Sequence, residues 1–173
     1  MLVRPQPTQH EKVLAEDDFI VSKTDVKGII TYGNRIFIEI SGYSEQELLG
    51  TPHNILRHPD MPRIVFKLLW DTIQARREIN AYVKNLAKDG SFYWVFANIT
   101  PSFNESGGLI GYFSVRRKPR PEALKSIMPI YKALLDTEKR AGDGQAGMQA
   151  SMDLLTKTLA DKGVSYDEFV LGL

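Results

Sequence analysis

The chain has 173 residues, 43% of them apolar, with 22 Lys plus Arg against 21 Asp plus Glu. That length suits one globular domain with an appended helical segment, burying roughly 70% of its unfolded surface, and the balanced charge offers no field to draw in nucleic acid or anionic lipid. The absence of cysteine excludes disulfides, thiolate metal sites and thiol chemistry, and no run is apolar enough for a signal peptide or a membrane span, so the chain is expected to be soluble and cytoplasmic.

In chain order, residues 1–17 read as an N-terminal cap segment. "FIVSKTDVKGIITYGN" (19–34) then holds two β-branched runs around a turn at Asp25 to Gly28, a β-hairpin pattern. Short helical pieces follow. In "SGYSEQELLG", Ser44 and Glu47 stand at capping-box spacing and Gly50 suits a left-handed stop. Pro62 suits the first turn of a longer helix with a core stripe of Ile64, Val65, Leu68, Leu69 and Ile73, while Phe66 and Trp70 lie on its flank.

The pattern then returns to strand. "INAYVKNLAKDGSFYWVFANITPSF" gives two long runs around "KDG", and "GLIGYFSVRRK" gives a fifth strand. Two strands, a block of helices and three strands predict an α+β domain over residues 18–118: a five-stranded antiparallel sheet with short helices on one face and a ligand cavity between the layers. "RRKPR" (116–120) reads as a solvated exit from the sheet. Residues 119–173 form a C-terminal helical extension. Leu124, Ile127, Met128, Tyr131, Leu134 and Leu135 keep helical spacing despite Pro129, and "RAGDGQAG" reads as a linker. Beyond it Met148, Met152, Leu155 and Leu159 form a stripe, and "SYDE" is a second capping box. That stripe must be covered, by the chain's own sheet or by self-association.

The stretch "NILRHPDMPR" (54–63) places Arg57, His58 and Asp60 in a loop stiffened by Pro59 and Pro62. From the residues alone, Arg57 and Asp60 read as an ion pair beside the following helix, with His58 on the surface. Asn34 reads as a helix cap. An amide such as Asn85 among apolar strand neighbours needs partners at both ends if it faces a cavity, and none if it points outward. Trp70 reads as core. His53 and His10 have no spaced partners of metal-site type.

The order of elements, with "ITYGNRIFIEISGYSEQELLGTPHNILRHPDMP" followed by "KNLAKDGSFYWV", resembles the PAS domain family, and in particular the flavin-binding PAS domains of bacterial aerotaxis receptors, from about Leu14 to Lys118. The resemblance implies the PAS fold, FAD as cofactor, and redox or oxygen sensing without enzymatic turnover. It implies Arg57 on the FAD pyrophosphate, a group that suits bidentate donors, with Asn54, His58 and Asp60 beside it. Asn34, Asn85 and Trp70 become candidates for the flavin ring. Leu86 and Ala87 replace a basic pair common in those receptors, which implies altered surroundings for the cofactor on that strand. Aerotaxis receptors continue into a membrane anchor and a methyl-accepting domain, parts not found by Leu173, which leaves the output step open; the Met148, Met152, Leu155 and Leu159 stripe and the net charge of +1 give the expectation that residues 121–173 form a homodimer or dock on a chemoreceptor or kinase. A covalent flavin–cysteine adduct is excluded by composition. Two alternatives stay open: a haem-binding PAS gas sensor using His53 or His58, and a PAS interaction module without cofactor.

Overall fold

The computed structural model describes residues 4–142 and 144–173. Strand β1 (Phe19–Thr24) and strand β2 (Ile30–Gly33) form the expected hairpin. Asp25 closes its turn by accepting the N–H groups of Lys27 and Ile29, and Gly28 takes φ +81°. Four short elements cross over: α1 (Arg35–Ser41), α2 (Glu45–Leu48), a 3-10 turn (His53–Leu56) and α3 (Arg63–Gln74). The Ser44–Glu47 capping box is formed, and Gly50 has φ +78°.

Strands β3 (Ile79–Leu86), β4 (Phe92–Phe103) and β5 (Leu109–Arg117) complete a five-stranded antiparallel sheet in the order β2-β1-β5-β4-β3. The "KDG" turn uses its glycine twice over. Gly90 sits at φ +86°, and a Cβ there would meet the Gln6 carbonyl at 2.2 Å, because residues 8–12 hydrogen-bond beside the start of β4. The N-terminal segment thus lies against this hairpin, with Leu14 buried.

Because side chains alternate along a strand, the register puts Ser22, Ser114, Arg116, Ala97, Val83 and Asn85 on one face, under α1 to α3. The other face carries Tyr82, Trp94 and Phe96. It is partly roofed by the extension, so helices lie on both sides of the sheet.

The extension comprises α4 (Pro121–Ala141), α5 (Gln145–Lys162) and α6 (Tyr166–Leu171). Helix α4 runs through Pro129, which is exposed, and buries Ala123, Ile127, Tyr131, Leu134 and Glu138. Met128, expected on that stripe, is 49% exposed. The expected linker shrinks to 142–144, with Asp143 outside the described residues. The β3 edge carbonyls of Tyr82 and Asn80 accept hydrogen bonds from the hydroxyls of Tyr131 (2.6 Å) and Tyr166 (2.9 Å), which close an edge otherwise open to pairing. The Met148–Met152–Leu155–Leu159 stripe packs into the chain's own core. That corrects the reason for expecting a dimer there: the stripe is covered without a second copy.

Candidate functional site

Between α3 and the inner face of the sheet lies a cavity of about 190 Å³. Its floor is strand: Ser22 and Thr24 from β1, Val83 and Asn85 from β3, Ala97 and Ile99 from β4, and Tyr112, Ser114 and Arg116 from β5. Its roof is helix and loop: His53, Asn54, Leu56 and Arg57, then Phe66, Leu69, Trp70 and Ile73 from α3. The exposed members Lys27, Pro52 and Asn54 mark the mouth. At the β1–β2 turn the mouth is tight, since a Cβ on Gly28 would meet the Trp70 ring at 2.9 Å. Trp70 stands edge-on to Tyr112 at 5.7 Å.

The electrostatics of this cavity are one-sided. Among the described residues it is lined by Lys27, Arg57 and Arg116 and by no carboxylate. Arg116 is 3% exposed; its Nη2 donates to the Ser22 hydroxyl at 2.6 Å, and its guanidinium lies 4.7 Å from the Phe37 ring centroid. Burial lowers its pKa to about 10. His53 lies against the same hydroxyl, with Nε2 3.2 Å from Ser22 Oγ and its ring stacked on Phe37. Burial, and then the Arg116 charge, push its pKa down to about 3, so the imidazole is neutral.

Among the described residues, five buried side-chain atoms lack a hydrogen-bond partner: Arg57 Nε, Asn85 Nδ2, Arg116 Nε and Nη1, and the Tyr93 hydroxyl. Four are N–H donors on residues that line this cavity. A buried unsatisfied donor costs about 1–3 kcal/mol, more when charged. Their concentration here describes a site shaped for a ligand rich in acceptors or negative charge.

Four of the seven candidate residues meet at this cavity: Asn54, Arg57, Trp70 and Asn85. Arg57 lays its guanidinium 4.0 Å from the Phe66 ring centroid, and burial lowers its pKa. Asn85 faces inward and is 5% exposed. The backbones of Arg57 and Asn85 also pair in an isolated antiparallel bridge, so loop and strand position each other.

Three candidates are placed elsewhere. Asn34 spends its side chain on structure: Oδ1 accepts the N–H groups of Phe37 and Val21, and Nδ2 donates to the Phe19 carbonyl. His58 is buried outside the cavity, edge-on to Phe92, with Nδ1 accepting the Asp60 N–H at 3.1 Å. Burial and then the Lys84 charge lower its pKa to about 4. Asp60 accepts a 2.7 Å bond from Lys84 Nζ. Its burial favours the protonated form, but the Lys84 hydrogen bond and charge outweigh that and leave its pKa lowered. The expected Arg57–Asp60 ion pair is not formed, nor is His58 on the surface. Instead Asp60 ties the loop to β3 one residue before Asn85. Leu86 and Ala87 are buried and do not line the cavity, so they do not alter its lining.

Arg116 and Ser22 join the cavity beyond the sequence-based candidates, and His53, named from sequence only as a haem ligand, lines it too. The basic run around Arg116 reads as a solvated exit, yet its side chain is buried. Strand alternation held the signal: counting back from exposed Arg117 puts Arg116 on the inner face.

A PAS fold family model matches residues 30–116. The aerotaxis receptor of Escherichia coli (strain K12) is 42% identical over 134 residues, 78% of this chain and 26% of that protein. The nitrogen fixation regulatory protein of Klebsiella pneumoniae is 30% identical over 140 residues, 78% of this chain and 28% of that protein. The chain therefore spans little more than a quarter of these relatives. In solved structures the fold recurs in a light-oxygen-voltage domain studied with a flavin analogue (TM-score 0.57, 21% identity, 64% of this chain and 83% of that one). It recurs also in the light-state dimer of the fungal blue-light photoreceptor Vivid (TM-score 0.54, 21% identity, 60% and 80%). With its sheet order and helical crossover, the family model that matches residues 30–116 and the 42% identity to the aerotaxis receptor, the chain belongs to the PAS fold family.

Proposed function

We propose that the cavity holds a flavin, FAD, and that the chain is a redox or oxygen sensor that passes the state of that flavin to a signalling partner. The observation that carries this reading is the set of unpartnered donors on Arg57, Asn85 and Arg116, facing one cavity that no carboxylate lines among the described residues. A flavin ring offers carbonyl and ring-nitrogen acceptors to such donors, and the FAD pyrophosphate suits the fork of Arg57 near the mouth. The apolar walls of Val83, Ala97, Ile99, Leu69 and Ile73 suit the ring's faces.

When bound, FAD supplies reversible electron transfer coupled to protonation of its ring. The residues of this chain do the rest. Asn85 can turn its amide to offer either a donor or an acceptor. It lies on β3, whose Tyr82 carbonyl is hydrogen-bonded to Tyr131 of α4, so a small shift at Asn85 biases the seating of α4. The size of that bias is limited to the difference in interaction energy between the two states. Arg116 favours whichever ring form carries more negative charge beside it. The receiver is a chemoreceptor or a kinase. The haem alternative is disfavoured by geometry: His58 is outside the cavity, and the Nε2 of His53 faces Ser22.

The absorption spectrum of the purified chain, with heat extraction and chromatography of any chromophore, tests the reading. FAD is the expected extract. A haem Soret band, or colourless protein that takes up no added flavin, rejects it.

A further inference from the structure

We propose that a groove leading from the cavity across α3 to the start of α5 receives the adenosine half of the dinucleotide, so that the C-terminal extension sets the preference for FAD over FMN; this rests on the flavin reading above. Volume is the first argument. The cavity, at about 190 Å³, is smaller than the ~300–1,000 Å³ typical of sites that enclose a whole drug-sized ligand. A dinucleotide whose ring enters it must leave its other half outside.

A second hollow, of about 420 Å³, begins where the first ends. The two share Arg57, Phe66 and Trp70. Arg57, with its unpartnered buried Nε, therefore stands where a pyrophosphate would pass from one to the other. Beyond this junction the groove is lined, among the described residues, by Arg63 and Lys67 of α3 and by Gly144, Gln145 and Met148 at the start of α5. Arg63 and Lys67 are neutralised in part, by Glu138 at 3.5 Å and Asp71 at 2.6 Å. Phe66 and Trp70 present aromatic surface suited to a purine, and stacking of that kind tolerates any base. The fit is to an adenosine phosphate, an aromatic anion, and one wall belongs to the extension.

The test uses the full-length chain stripped of ligand and titrated separately with FAD and FMN, read by flavin fluorescence. Gln145→Glu adds a negative charge at an exposed first-turn position that the helix dipole tolerates. Lys67→Glu reverses an exposed charge. Each is expected to weaken FAD by about fivefold, and the pair by about twenty-fivefold if their effects add, while FMN stays within about twofold. Gln145→Lys is expected to tighten FAD alone. Thermal melts establish that the variants fold. An equal change for FAD and FMN, or none for FAD, overturns the groove and leaves the flavin cavity standing. A chain that binds neither flavin removes both readings.

Discussion

Glu138 of α4 caps α3 from 74 residues away: its Oε1 accepts the N–H of Ile64 at 3.0 Å, while Oε2 accepts the N–H of Arg63 at 2.9 Å. Pro62, at the N-cap position, has no side-chain acceptor, so the extension supplies what the loop cannot. The carboxylate is 3% exposed. Glu138→Ala is expected to lower stability by about 2–3 kcal/mol, through loss of the cap and of charge-assisted hydrogen bonds. Glu138→Gln, which keeps one acceptor, should recover part of it. Urea unfolding of the two variants is the check; equal losses would mean that packing, not the acceptor, matters.

Asn34 gives a contrasting expectation. Its three side-chain bonds are structural, so Asn34→Ala should cost about 1–2 kcal/mol of stability and leave the flavin spectrum of the folded protein unchanged. A shifted flavin band in a variant that still folds would return Asn34 to the site.

These two residues mark what could be read in advance. The sheet, both capping boxes and the cap at Asn34 rest on local patterns: alternation, turn glycines and Ser-x-x-Glu spacing. The inward turn of Arg116 was equally legible, but the basic run around it hid the period. Glu138 was not legible at all. Its partners are fixed by tertiary packing, and a glutamate near a helix end looks like any solvated charge. The placements of His58 and Asp60 likewise depend on Lys84, 24 residues beyond Asp60 on another element.

Arg116 carries a buried charge that no carboxylate among the described residues of the cavity offsets. In the ligand-free protein, Arg116→Met should therefore be neutral or stabilising, by about 1–3 kcal/mol, while flavin affinity falls. Thermal melts with and without FAD separate the effects. A variant destabilised when empty would show that Arg116 serves the fold through Ser22 instead.

Two histidines set a pH dependence. His53 and His58 have pKa values lowered to about 3 and about 4, whereas an unfolded histidine sits near 6.5. Both stay neutral in the folded chain over pH 7 to 5, while the two histidines of the unfolded chain together take up about 1.5 protons. Their stabilising contribution is thus full above pH 6.5 and declines as the pH falls. The expected loss from pH 7 to pH 5 is about 3–4 kcal/mol, measured as a fall in the urea midpoint. The double variant His53→Gln/His58→Gln should flatten that profile; an unchanged slope would assign it to other groups.

On the flavin reading, Asn85 and Arg116 hold the ring through donors that are otherwise unpartnered. Titration of FAD into ligand-free wild type, Asn85→Leu, Arg116→Met and the double variant tests it most directly. Saturable binding by the wild type is expected, with losses of about tenfold or more for each single variant, since each removes a buried hydrogen-bond partner, and all four proteins folded. Wild-type binding that survives both substitutions undiminished, or no binding at all, would contradict it.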